Sequence, residues 1–116
     1  MTERLLDLDG ALEFLDGDVE LRDQLLVVLL RVLDEAVRGL PGMVERRDWR
    51  EIGDVAHQLA PSLSIFCPSV AAPVSALGAA LRDDDEDRRE ALALRAVPLM
   101  EQVRAEVRRC VESRGR

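Results

Sequence analysis

An all-α fold is what this 116-residue sequence predicts: an antiparallel four-helix bundle with a short N-terminal helix as a lid, in one domain over residues 1–116. Three observations lead there. Leu, Ala, Glu and Arg outweigh the β-branched residues, and aromatics are only 3% (Phe14, Trp49, Phe66), a mixture that favours helix over sheet. Apolar residues recur at spacings of three and four along most of the chain, with no strand pattern and no internal repeat. Turn signals cut the chain into five helical pieces with short connections, which suits antiparallel neighbours.

The first helix is expected to follow Asp9 and to stop at Gly17, a residue free to take the left-handed conformation. Asp18 is the N-cap of a long second helix from Val19 to about Arg38. Gly39-Leu40-Pro41-Gly42 predicts a break or kink before a last turn through Arg47. Two stripes along this helix (Leu25, Leu29, Val32, Ala36 and Leu26, Leu30, Leu33, Val37) imply burial on two sides, as though the first helix lies across it. Asp48 caps a third helix to about Phe66, with Ile52, Ala56, Leu59, Leu63 and Phe66 as its apolar seam. Cys67-Pro68-Ser69 ends it, and Ser69 is the expected cap of a fourth helix whose seam is Val70, Val74, Leu77 and Leu81. The acidic run Asp83–Asp87 reads as a turn and helix start, where carboxylates suit the positive end of the dipole. The fifth helix then continues to about Val111, bent at Pro98, with Ala93, Val97, Met100, Val103 and Val107 inward.

Composition excludes several function classes. Sixteen basic residues, all Arg, against 23 acidic ones leave a net charge of −7 and a pI near 4.7. Nucleic-acid binding draws on a clustered positive field, so none is expected. The longest apolar run, Leu25 to Leu30, ends at Arg31, far short of the roughly 20 residues a membrane helix needs. Met-Thr-Glu-Arg-Leu-Leu-Asp shows no basic region followed by an apolar stretch, so no signal peptide is read and the expected address is cytoplasmic. Cys67 and Cys110 lack metal-type spacing and read as small hydrophobes, not disulfide halves. No metal site is expected, since there is no second His and the acidic run lacks the glycine and spaced ligands of a calcium loop. No Gly-rich phosphate loop or nucleophile–base pair suggests an ordinary metabolic enzyme.

The one histidine, His57, stands out through its neighbours. At 100° per residue, Ile52, Val55, Leu59 and Leu63 fall roughly 120–160° away on either side and Phe66 lies across the helix, so His57 points to solvent. Within about 60° of it lie Gly53, Asp54, Ala60, Pro61 and Ser64, all short side chains. Solvated helix faces usually carry long Glu and Arg, as Glu101, Arg104 and Arg108 do in the fifth helix. A face with one imidazole among small residues is a shallow groove that another protein can reach. Pro61 also brings no N–H to the His57 carbonyl, placing an irregularity in the turn after the ring.

Ala56-His57-Gln58-Leu59-Ala60-Pro61-Ser62-Leu63 resembles the signature of histidine-containing phosphotransfer (HPt) domains, Ala-His-x-Leu-Lys-Gly or Lys-Pro followed by small residues. Phe14-Leu15-Asp16-Gly17-Asp18 is similar to the family's segment before its long helix, and Arg47-Asp48-Trp49 to its lead into the histidine helix. Length, helix order and the position of His57 agree over nearly the whole chain. The small residue expected seven after the histidine is Ser64, and proline at position 61 is a tolerated variant of the family's glycine. One departure is plain: the family's lysine, three residues after the histidine, is Ala60 here.

The resemblance implies a phosphorelay carrier and not an independent enzyme. His57 would accept a phosphoryl group from the aspartyl phosphate of one receiver domain and pass it to another. An imidazole with the ordinary value of about 6.5 is mostly neutral at pH 7, as a nucleophile must be. The transfer needs in-line positioning and charge stabilisation, for which the receiver brings its own Mg²⁺ and Lys, so the carrier needs no cofactor. The implied partners are response-regulator receiver domains, a hybrid sensor histidine kinase being one source, and the implied state is a monomer. Arg50, Gly53, Asp54, Ala60, Pro61 and Ser64 would form the docking surface. Arg50, about 20° off His57 and roughly 10 Å away along the axis, is the candidate to replace the absent lysine. Asp54 either orients the ring by a hydrogen bond or is simply solvated. Two other readings stay open: a degenerate module that docks receivers without carrying phosphate, for which Ala60 speaks, and a structural or oligomerising helical bundle.

Overall fold

The computed structural model describes residues 5–79 and 85–114; the expectations for Leu81, Asp83 and Asp84 fall outside these. The described residues form α1 (Leu8–Phe14), α2 (Val19–Glu45), α3 (Trp49–Phe66), α4 (Pro68–Ala79) and α5 (Glu86–Arg114), with no strand. The fold of the described residues is all-α, as the composition predicts.

Local chemistry sets each boundary, and several differ from expectation. Asp7, not Asp9, caps α1: its Oδ1 accepts the Gly10 N–H at 2.9 Å, and a Cβ at Gly10 would collide with that carboxylate. At the other end Asp16 (φ 55°) takes the first left-handed position and Gly17 (φ 80°) follows it. Their N–H groups reach back to the carbonyls of Glu13 and Leu12, closing the helix end. Asp18 caps α2 as expected, accepting the Leu21 N–H at 3.0 Å.

Of the break or kink predicted at Gly39–Gly42, the break does not occur, since α2 runs on to Glu45 with Pro41 inside it. Pro41 removes one helical N–H, but Ala36, Val37 and Leu40 on the same stretch are buried, and that burial holds the backbone helical through it. The two apolar stripes also resolve differently. Leu26, Leu29, Leu33, Ala36 and Leu40 make one buried seam, Leu25, Leu30 and Val32 are half-buried, and Val27 and Val28 face water. The end of α2 is closed by Arg47 in the left-handed region (φ 55°), with Asp48 N–H bonded to Met43 O and Arg47 N–H to Val44 O.

Asp48 caps α3 by accepting the Glu51 N–H, and all five predicted seam residues are buried. In place of the predicted Ser69 cap, α4 begins at Pro68 directly after Cys67, whose carbonyl accepts the N–H groups of Val70 and Ala71. Proline fits a first helical position because the missing N–H would have no helical partner there. Asp85 starts α5, its Oδ1 accepting the Arg88 N–H at 3.2 Å. This helix passes through Pro98 to Arg114, three residues beyond the predicted end. Its 29 residues at about 1.5 Å each give roughly 43 Å, so α5 runs the length of the 44 × 28 × 24 Å molecule.

Helix α3 packs most extensively on α4, and α2 on α5; α2 also meets α3, α4 meets α5, and α1 rests on α3 and α2. Helices α2 and α5 run in opposite directions. Asp34 of α2 pairs with Arg104 and Arg108, while Arg47, just past the end of α2, pairs with Glu86 and Glu90. No helix among the described residues is long and apolar enough to cross a membrane.

The segment before α1 is fastened by a carboxylate. Glu106 on α5, only 8% exposed, accepts the Leu5 N–H on both oxygens (3.0 and 3.2 Å) and the Leu6 N–H on Oε1 at 3.2 Å. The Asp7 N–H then donates to the Phe66 carbonyl at 2.7 Å, tying the same segment to the end of α3. Cys67 lies close by. Burial first, then the carboxylates of Glu106 and Asp7, push its thiol up to about 12. Neither cysteine is in a disulfide among the described residues; Cys67 is buried and Cys110 half-buried.

Two expectations follow. Glu106→Ala leaves the Leu5 and Leu6 amides without their acceptor, at a cost of about 2 kcal/mol, while Glu106→Gln keeps one acceptor oxygen and loses less. Denaturant midpoints of the two variants check the order. Cys67, buried and protonated, stays unmodified by a thiolate-selective reagent at pH 8 in the native protein and reacts once the chain is unfolded in denaturant.

Candidate functional site

The site is built on the side of α3 that the core does not use. Ile52, Ala56, Leu59, Leu63 and Phe66 face inward, and His57 stands exposed on the opposite side as its spacing predicts. Its ring makes no hydrogen bond or ion pair with any described residue. The α3 backbone continues helically through Pro61, which has no N–H to offer the His57 carbonyl.

Small residues let α4 come close beside it. A Cβ placed on Gly78 of α4 would meet the Ala56 Cβ at 3.8 Å and the Gly53 carbonyl oxygen at 4.0 Å. The two helices therefore touch with almost no side chain between them, and a groove of about 400 Å³ opens along their outer edge. From α3 it is lined by Gly53, Asp54, His57 and Ala60. Across from them stand Ser75, Gly78 and Ala79 of α4.

Three of the predicted docking residues, Gly53, Asp54 and Ala60, thus share the groove with His57, and three do not. Arg50, Pro61 and Ser64 are exposed on α3 but outside the groove wall. Their position follows from the placement of α4, which flanks α3 on the side of Gly53, Ala56 and Ala60 and leaves the remaining outward residues on an open face. The Ser64 hydroxyl is already committed, donating to the Ala60 carbonyl at 2.9 Å. Asp54 is exposed and makes no hydrogen bond to the ring.

Sequence reasoning missed the α4 wall. Its signal was present: Ser75, Gly78 and Ala79 recur at spacings of three and four beside the buried seam Val70, Val74 and Leu77. Among the described residues lining the groove, His57 is the one nitrogen base, Asp54 the one carboxylate and Ser75 the one hydroxyl. No group of three or more His, Cys, Asp or Glu among the described residues is placed to hold a metal ion.

The separations around Gly78 are ordinary van der Waals distances, so Gly78→Ala should fit without moving α3. The alanine should add up to about 1 kcal/mol through its better helix propensity. A thermal midpoint at or above that of the parent checks it; a clear drop would mean the helices are closer than 3.8 Å allows.

Comparison of the chain with protein-family models, with curated proteins and with solved structures finds no match in any of the three.

Proposed function

We propose that this protein is a phosphoryl carrier of the histidine phosphotransfer type, with His57 as the phosphoacceptor. The observation that carries the reading is an exposed imidazole, bonded to no described residue, on the rim of a groove walled by Gly, Ala and Ser. We read the packing of α2 to α5 as an antiparallel four-helix bundle with α1 as its lid, which is the arrangement the sequence resemblance implies.

In the forward step, the lone pair of a neutral ring nitrogen attacks the phosphorus of an aspartyl phosphate on a receiver domain. A P–N bond forms, the P–O bond to the aspartyl oxygen breaks, and the receiver's carboxylate leaves with that electron pair. The imidazolium sheds the proton of its other nitrogen to solvent. Transfer to a second receiver reverses these changes. Such chemistry relies on positioning and on charge stabilisation, and the receiver's Mg²⁺ and Lys provide the latter. The carrier contributes an accessible ring and a surface with no bulky side chain to block the receiver's acidic pocket. On this reading it works as a cytoplasmic monomer with receiver domains as partners, and without nucleic acid, membrane or a cofactor of its own.

Ala60, where the family carries lysine, favours a second reading: a module of the same fold that docks receivers without taking up phosphate. Incubation with a phosphorylated receiver domain separates the two. The carrier reading expects acid-labile phosphate on the parent protein and none on His57→Gln. Binding without label across a panel of receivers would favour the docking module. Ala60→Lys should raise the transfer rate or the phosphohistidine lifetime by about tenfold or more, since one charge-assisted contact contributes about 1.5–3 kcal/mol.

A further inference from the structure

Resting on the carrier reading, we propose that Asp54 sets the lifetime of the phosphorylated state: its carboxylate speeds hydrolysis of phosphohistidine at His57, so the group is passed on promptly and not stored. Asp54 and His57 are three residues apart on α3, a separation that puts their Cβ atoms about 5–6 Å apart on one helix surface. Both line the same groove. Neither is tied to another side chain among the described residues, and each is free to turn toward the groove.

The chemistry gives the carboxylate a definite effect. A phosphoryl group on one ring nitrogen leaves most readily when the other nitrogen is protonated, because the departing group is then neutral imidazole and not an imidazolate anion. A carboxylate within a few ångströms favours that protonated form. In hydrolysis a water oxygen bonds to phosphorus as the P–N bond breaks, and the P–N electron pair returns to the ring. The water gives up a proton to solvent, and the products are neutral His57 and hydrogen phosphate. The same carboxylate shares the groove with the negative phosphoryl oxygens, and their repulsion raises the energy of the loaded state further. Both effects shorten its life. Because Asp54 is exposed, the interaction runs partly through solvent and must weaken as salt is added.

The test loads parent protein, Asp54→Asn and Asp54→Glu with potassium phosphoramidate or a phosphorylated receiver, removes the donor, and follows acid-labile phosphate over time. At low salt Asp54→Asn should lengthen the half-life about three- to tenfold. That gain should shrink in 1 M NaCl, where screening acts over about 3 Å. Asp54→Glu keeps the charge and should behave like the parent. Equal half-lives for parent and Asp54→Asn, on a labelled His57, would overturn the role of Asp54 and leave the carrier reading intact. So would a gain unchanged by salt, which points to a shape effect instead of charge. A parent protein that takes up no label on His57 from either donor would overturn the carrier reading and this inference with it.

Discussion

The direction of α3 is fixed by what its inner side buries, and the outer side inherits that direction. Phe66 lies nine residues from His57, which at 100° per residue is half a turn away from it. Phe66, Leu59 and Leu63 are each no more than 1% exposed. Rotating α3 to hide the imidazole would bring these side chains toward water at about 1.5–3 kcal/mol each. The end of the helix is further held by the Asp7 N–H on the Phe66 carbonyl and by Cys67, whose carbonyl starts α4. The histidine is therefore oriented from behind, by the core, with no hydrogen bond to its ring from any described residue.

The groove follows from a different property of the same helices. Interior glycine weakens a helix by roughly 0.5–1 kcal/mol against alanine, and interior proline by more. Yet α3 contains Gly53 and Pro61, and α4 contains Pro73 and Gly78. Neither helix would be expected to hold by propensity alone; both are kept by burial of Ile52, Ala56, Leu59, Leu63 and Phe66 in α3 and of Val70, Val74 and Leu77 in α4. The small residues in turn allow the close approach of Gly78 to Ala56, which leaves the imidazole at an open edge. Stability resides on the inner side and accessibility on the outer, and the two meet at Ala56 and Val74, core residues that also floor the groove.

What the sequence reveals of this arrangement depends on range. The α3 seam and the exposure of His57 follow from spacing within a single helix, and both are found where the spacing puts them. Cap positions are local too, yet spacing points to Asp9, whereas the Asp7 carboxylate folds back onto the Gly10 N–H, where a Cβ would obstruct it. Gly39, Pro41 and Gly42 signal a break on local grounds, and the burial of Leu40 overrides them from a distance. The least legible group is Glu106. In sequence it is one more acidic residue in a charged helix; only the fold brings the Leu5 and Leu6 amides to it across a hundred residues. Arg22, a buried guanidinium paired with neighbouring Asp23, stands four residues before Leu26, in phase with the buried seam of α2.

Charge is distributed by the same division of labour. Arg47, Arg104 and Arg108 are directed at Glu86, Glu90 and Asp34, where they set the relative direction of α2 and α5 on a side of the molecule that the groove does not touch. Exposed pairs of this kind contribute under about 1 kcal/mol each, so their value lies in alignment more than in stability. Arg50, the cation nearest His57 in angle on α3, stands outside the groove wall. A phosphoryl group arriving at His57 would thus meet Asp54 from its own helix, while the positive charge that transfer requires would enter with the partner's Mg²⁺ and Lys. On the carrier reading proposed above, the loaded state would be stabilised while a receiver is docked and destabilised when it leaves. On that reading, the rate of transfer would then depend on complex formation.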